Sequence, residues 1–160
     1  MERITTNRLA YFNEIRKELL NTPPCNNRNP IFIFCEIGQL LTHGFAIHFF
    51  TGERNFLFLK QWNAAYDNER FSLGIYNLDR LAITTHYIIL NYSDLLEINR
   101  LLKSHLHIRK SDTFILDGLY CEIIFDELTL QWNTEEEMNP ALSALVRFIK
   151  DKIMKALFYK

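Results

Sequence analysis

The chain has 160 residues, 18 basic and 19 acidic side chains for a formal charge of −1, and a composition that is 48% hydrophobic and 14% aromatic. That length suits one globular domain spanning 1–160, able to bury a core without disulfide or metal staples. The near-zero charge gives no global field to attract nucleic acid or anionic lipid, and no run approaches the roughly 18 apolar residues of a membrane-spanning helix.

Residues 5 to 21 predict a helix, with Thr5 or Thr6 as its cap and Leu9, Phe12, Ile15 or Arg16, and Leu19 recurring at helical spacing. Pro23, Pro24 and Pro30 together with four asparagines then make residues 21 to 30 an irregular loop. From Ile31 to Leu90 the pattern is strand-like. The runs IFIFCEI, FAIHFF and NFLFLKQW come first, and Gly52 in the short polar gap between the last two signals a hairpin. Asn63 to Arg70 reads as a polar connection. RFSLGIYNL and LAITTHYIIL supply two further strands, the second favoured by the β-branched Ile83, Thr84, Thr85, Ile88 and Ile89. Ser93 is then placed to cap a helix over 94 to 106, with Asp94 and Glu97 in its first turn and Leu95, Ile98, Leu102 and Leu106 as its buried stripe.

The last third, Phe114 to Phe158, is the most sharply patterned. Asp117-Gly118 signals a tight hairpin turn. A second turn at Asp126-Glu127 sets Phe125 opposite Leu128, Ile123 opposite Leu130 and Cys121 opposite Trp132, all on one face, with Glu122 opposite Gln131 on the other. Asn139 caps a final helix that starts at Pro140 and carries the stripe Leu142, Leu145, Val146, Ile149, Ile153 and Leu157. The whole is an α+β fold: an antiparallel sheet of about six or seven strands with N-terminal, middle and C-terminal helices.

The residues that carry chemistry are scattered. The glycines at 38, 44, 52, 74 and 118 are isolated, so no phosphate-binding loop is present, and there is no GxSxG elbow. His43, His48, His86, His105 and His107 have neither an HExxH motif nor a cysteine pair to complete a metal site. Cys25, Cys35 and Cys121 are odd in number and widely spaced, which fits reduced thiols in the cytoplasm, and the N-terminus lacks the apolar region of a signal peptide. Cys35 and His48 are on neighbouring strands, but a thiol inside IFIFCEI reads as inert core. Asp126-Glu127 and Glu135 to Glu137 have structural explanations as a turn and a helix approach. Lys103, His105, His107, Arg109 and Lys110 form the densest basic stretch, at a helix exit. No catalytic, cofactor or metal residues are assigned, and an enzyme is not expected.

A partner surface has better support. Trp62, Tyr66, Asp67, Glu69 and Arg70 place aromatic rings beside mixed charge, the composition of an interface core and its rim, against the plain reading of a long hairpin loop with Trp62 packed at the sheet edge. The connection at 21 to 30 is a second candidate.

Leu116-Asp117-Gly118, Tyr120, the alternating strand pair ending in Trp132, Pro140 and the terminal amphipathic helix together resemble small bacterial immunity proteins encoded beside toxins of polymorphic-toxin and type VI secretion systems. The resemblance covers Phe114 to Phe158. It departs from the usual form at Leu119, where a small or polar residue often follows the glycine. It implies a cytoplasmic, cofactor-free protein that neutralises a cognate toxin by stoichiometric binding, with no functional residue carried over. The alternatives are a homo-oligomeric structural or regulatory module using a sheet edge or the terminal helix, and a small enzyme with a scattered site.

Overall fold

The computed structural model describes residues 2–23, 25, 28–38, 40–73, 81–109 and 118–158, the first six of these by main chain only. Among them run helix α1 (Glu2–Leu20), strands β1 (Phe32–Gly38), β2 (Gly44–Phe50) and β3 (Phe56–Trp62), helix α2 (Ala64–Ser72), strand β4 (Ile83–Ile89), helix α3 (Tyr92–Lys103), strands β5 (Leu119–Phe125) and β6 (Leu128–Trp132), and helix α4 (Pro140–Phe158). The fold is α+β, as expected. One open antiparallel sheet has the order β4-β3-β2-β1-β5-β6. The expected strand 114–116 and the residues 74–78 of RFSLGIYNL lie outside the described residues, as does Asp117 of the DG turn.

Both faces of the sheet are covered, because its central strands are apolar on both sides. Phe32, Phe34, Ile47, Phe49, Leu57, Leu59 and Ile123 face α3 and α4 and join Ile98, Leu101, Leu142, Leu145 and Ile149 in the larger core. Cys35, Ile37, Ala46 and Trp62 face the other way and pack under Tyr11, Ile15 and Leu19 of α1 and Ala64 of α2. Trp132 stacks on Phe34 at 6.0 Å, which carries the larger core toward the β6 edge.

The tail hairpin has the register expected of it. Phe125 pairs with Leu128, Ile123 with Leu130, Cys121 with Trp132 and Glu122 with Gln131. Asp126 takes φ 52, a left-handed turn position that a short polar side chain tolerates. Asn139 caps α4: its Oδ1 accepts from Leu142 N at 3.0 Å, and its Nδ2 donates to His105 O at 2.6 Å. This one side chain therefore fixes both the helix start and the incoming loop. Asn139→Ala is expected to lower stability by about 1–2 kcal/mol, read as a lower urea midpoint at unchanged m-value.

Several local expectations are corrected. The first helix begins at Glu2, so Thr5 and Thr6 lie within it and are not caps. Its buried stripe is Tyr11, Ile15 and Leu19, while Leu9 is 62% exposed. The phase differs because Arg16 belongs to the flank that meets β5. Asn91, not Ser93, caps α3: Asn91 Oδ1 accepts from Asp94 N at 2.8 Å and Asp94 Oδ2 accepts from Asn91 N at 3.1 Å, a reciprocal box that spends Asp94 as well. The supposed connection Asn63 to Arg70 is helix α2, capped by Asn63 Oδ1 accepting from Tyr66 N, and Arg70 to Ser72 of the supposed fourth strand are helical too. His48 lies within β2, the strand next to that of Cys35.

The C-terminal end of α1 is held by side chains from the sheet. His48 Nε2 donates to Leu19 O at 2.9 Å, and Lys60 Nζ donates to the carbonyls of Glu18 and Asn21. Backbone acceptors that a helix leaves open at its end are thereby satisfied from below. Gly44 allows this close seating, since a Cβ there would stand 3.3 Å from both Leu19 Cδ1 and Trp62 Cε3.

Candidate functional site

Strand register gathers the informative residues at one end of the sheet. Ile37 pairs with Gly44 and with Tyr120, Gly44 pairs with Trp62, and Trp62 pairs with Ile83. The β1–β2 turn, the β3–α2 junction and the ends of β5 and β6 therefore share this end.

On the α1 side, α2 is fastened to the junction by Asp67. Its Oδ2 accepts from the Trp62 indole Nε1 at 2.8 Å and from Ala82 N at 2.8 Å, and its Oδ1 lies 3.4 Å from Arg70 Nη1. Trp62 and Asp67 are buried, at 3% and 5% exposure, so among the candidate partner residues these two form the frame. Tyr66 is 54% exposed, with Arg70 stacked 5.6 Å from its ring centroid, and Glu69 is exposed. Asn68 ties this helix to the β1–β2 turn by donating from Nδ2 to Leu41 O at 2.8 Å. Leu41 holds φ 56, an uncommon conformation for a branched residue, kept by that bond and by its buried side chain. Its neighbour Leu40 is 57% exposed, and Leu73 at the end of α2 is 70% exposed.

On the opposite side of the sheet, at the same end, α4 leaves a cavity of about 150 Å³ over β5 and β6. Its floor is Glu36, Cys121, Trp132 and Val146, each at most 6% exposed. Asn133, Glu135, Arg147 and Asp151 stand at its mouth. Burial alone would push the Glu36 carboxyl up, but hydrogen bonds from His43 and Lys150 outweigh that and hold it below its ordinary value. His43 Nε2 is 3.3 Å from Oε1, and Lys150 pairs with Oε2. The Cys121 thiol, 3.9 Å from Oε2, is pushed up to about 12 by burial and by the Glu36 charge, so it stays protonated. The arrangement is a fixed negative charge set among apolar walls, beside a thiol that burial keeps protonated.

Glu36 has a counterpart across the sheet. β1 and β5 both contain Cys-Glu, and their register sets Cys35 against Glu122 and Glu36 against Cys121. One buried acid therefore points to each face. Glu122 is gripped by Arg16 of α1, with Nη2–Oε1 at 2.7 Å and Nε–Oε2 at 2.9 Å, and accepts further from Tyr120 and Gln131. Cys35, beside it, is driven by burial far above an ordinary thiol. Register sets His48 opposite Ile33 and Cys35 opposite Ala46, and His48 Nε2 donates to Leu19 O, so among the described residues the Cys35–His48 pairing considered from sequence forms no hydrogen bond.

His105 and His107 lie 5.2 Å apart by ring centroid and serve the α4 start, where Asn139 Nδ2 is 3.0 Å from His107 Nδ1. Among the described residues no three His, Cys, Asp or Glu side chains converge as metal ligands, and no helix is long and apolar enough to cross a membrane. The cavity was missed from sequence, although a signal existed: an acid inside the otherwise apolar run IFIFCEI. No protein-family model, curated protein or solved structure matches the chain.

Proposed function

We propose that this protein binds a cognate bacterial toxin one to one and covers its working surface, as an immunity protein does. The observation that carries the reading is the junction of α2 with the β1–β2 turn. There Leu40, Tyr66 and Leu73 present exposed apolar surface on a frame locked by Asn68 and Asp67. Aromatic and aliphatic anchors on a rigid support lose little freedom on binding, and Glu69 and Arg70 supply a charged rim that selects the partner. The reading takes the protein to act in the cytoplasm with Cys25, Cys35 and Cys121 reduced, as the free thiols allow.

The gene directly upstream is expected to encode a protein that is lethal alone and harmless when expressed with this chain. Deleting this gene beside an intact neighbour should kill the cell, and healthy deletion cells would end the reading. Tyr66→Ala with Leu73→Asp is expected to weaken the purified complex by on the order of 2 kcal/mol or more while leaving the urea midpoint of the free protein unchanged.

One observation favours a second reading, a homo-oligomer. Among the described strands β4 lies at the sheet edge; it has no Lys, Arg, Asp or Glu over Ile83–Ile89 and exposes Tyr87 and Ile89 at 62% and 63%. Edge strands of monomers are commonly guarded by charge, proline or a bulge, and pairing of two β4 strands would join the sheets. Light scattering of the purified chain separates the two readings: a concentration-independent dimer lost on Thr85→Lys supports this one, and a monomer excludes it.

A further inference from the structure

We infer that the cavity under α4 is a receptor for a single monovalent cation carried on a short apolar stem, an alkylammonium or alkylguanidinium group, with Glu36 as its counter-charge. The site goes beyond toxin binding and stands without it. The cavity opens to solvent between Asn133, Glu135, Arg147 and Asp151 and reaches inward to the buried Glu36, with about 150 Å³ of unfilled space beside that charge. A cavity of that size is about what holds one benzene-sized group. Ser143 of α4 lines it with a small polar side chain. Trp132, Val146 and Cys121 offer the stem apolar contact, and the ring adds a face for the cation.

The carboxylate at the floor is already occupied by a cation of this kind. Lys150 reaches Glu36 from α4 on a flexible four-carbon stem, and its side chain remains 38% exposed at the opening. Withdrawal of Lys150 into water restores its rotamer freedom and leaves Glu36 charged, buried and short of a partner, which an incoming cation then replaces. Lys150 thus acts as an internal competitor. The exposed Glu135 and Asp151 at the mouth favour entry of positive charge, while Arg147 and the displaced Lys150 oppose a second cation.

The test is a titration of the purified full chain with n-butylguanidinium, n-butylammonium and the neutral isostere n-butylurea, read by the indole N–H resonance of Trp132. Saturable shifts are expected at millimolar concentration for both cations and not for the urea. Lys150→Met should tighten cation binding about tenfold, and Glu36→Gln should abolish it. Ser143→Leu should also abolish it while keeping the carboxylate, and so guards against a misfolded Glu36 variant. Equal binding of n-butylurea, or no saturable shift in either the parent or Lys150→Met, overturns the inference. A capped Gly-Arg-Gly peptide distinguishes the source: binding as tight as n-butylguanidinium assigns the site to a protein side chain, and loss of binding with the flanking backbone assigns it to a free small cation. Failure of the toxin reading leaves these outcomes untouched, and failure here leaves the α2 surface untouched.

Discussion

Arg16→Met is expected to cost about 3–5 kcal/mol, one of the largest effects open to a single side chain outside the apolar core. Glu122 is 1% exposed, and Arg16 is the full positive charge that meets it, through two parallel hydrogen bonds. Removing the guanidinium leaves a charge whose remaining donors among the described residues are Tyr120 and Gln131. It also unfastens α1 from β5, where Phe12 packs edge-on against Tyr120 at 5.2 Å. The reversal is the sharper part of the expectation. Arg16→Met with Glu122→Met should recover most of the loss, because two apolar groups of similar volume replace a pair whose desolvation was costly. Urea unfolding of the four proteins in that cycle decides it. A loss under about 1 kcal/mol for Arg16→Met would reduce the pair to an ordinary surface contact.

Acid lability is the second large expectation, and His48 is its source. The ring is fully buried, its Nε2 donates to Leu19 O, and among the described residues Nδ1 has no hydrogen-bond partner. Burial lowers its pKa to about 4 from 6.5; the bond to Leu19 O works against that shift, and the nearby Lys60 charge adds to it. The sign follows from which state takes the proton first. The unfolded chain protonates near 6.5 and the folded one only near 4, so stability is fully present above pH 6.5 and is lost as pH falls through that window. The loss amounts to about 3 kcal/mol, with no further contribution from this group below pH 4. His48→Gln keeps a donor for Leu19 O without a titrating ring. Urea midpoints measured from pH 7 to pH 4 should fall less steeply for that variant than for the parent. Parallel slopes would remove His48 as the cause.

Sequence pattern reached some of this fold and missed the rest for identifiable reasons. The β5–β6 register was legible because alternation over Cys121, Ile123 and Phe125 meets alternation over Leu128, Leu130 and Trp132 across a turn too short to slip. Asn139 and Pro140 were legible because a helix start is a local matter. The neighbour of β1 was not: alternation tells which face a side chain takes but not which strand lies alongside, and β5 is distant in sequence. Helix α2 escaped because nine residues hold little periodic signal, and its anchor is the buried Asp67 binding Trp62 and Ala82. At the candidate surface, Tyr66, Glu69 and Arg70 are open to solvent to differing degrees, whereas Trp62 and Asp67 build the support beneath them. Composition registers that an aromatic ring is present, not whether it faces inward. The buried acids Glu36 and Glu122 were legible as anomalies within apolar strands, but their cationic partners Lys150 and Arg16 lie on helices at the far end and the start of the chain.

The Arg16–Glu122 clasp spans 106 positions, and β1 sits in the sheet between β2 and β5. During synthesis the first helix therefore emerges long before its counter-charge exists. The meander β1 to β4 can assemble while Cys35 still lacks its β5 neighbour, and Tyr11, Ile15 and Leu19 can settle on that half-sheet through His48, Lys60, the Tyr11–Asn68 hydrogen bond and apolar contact. Addition of β5, β6 and α4 then completes the sheet and locks α1 from the other side. Because this closing step joins the most distant parts of the chain, it is the step expected to set the pace of folding, and an unpaired β1 edge is what a ribosome-bound intermediate would offer to a chaperone.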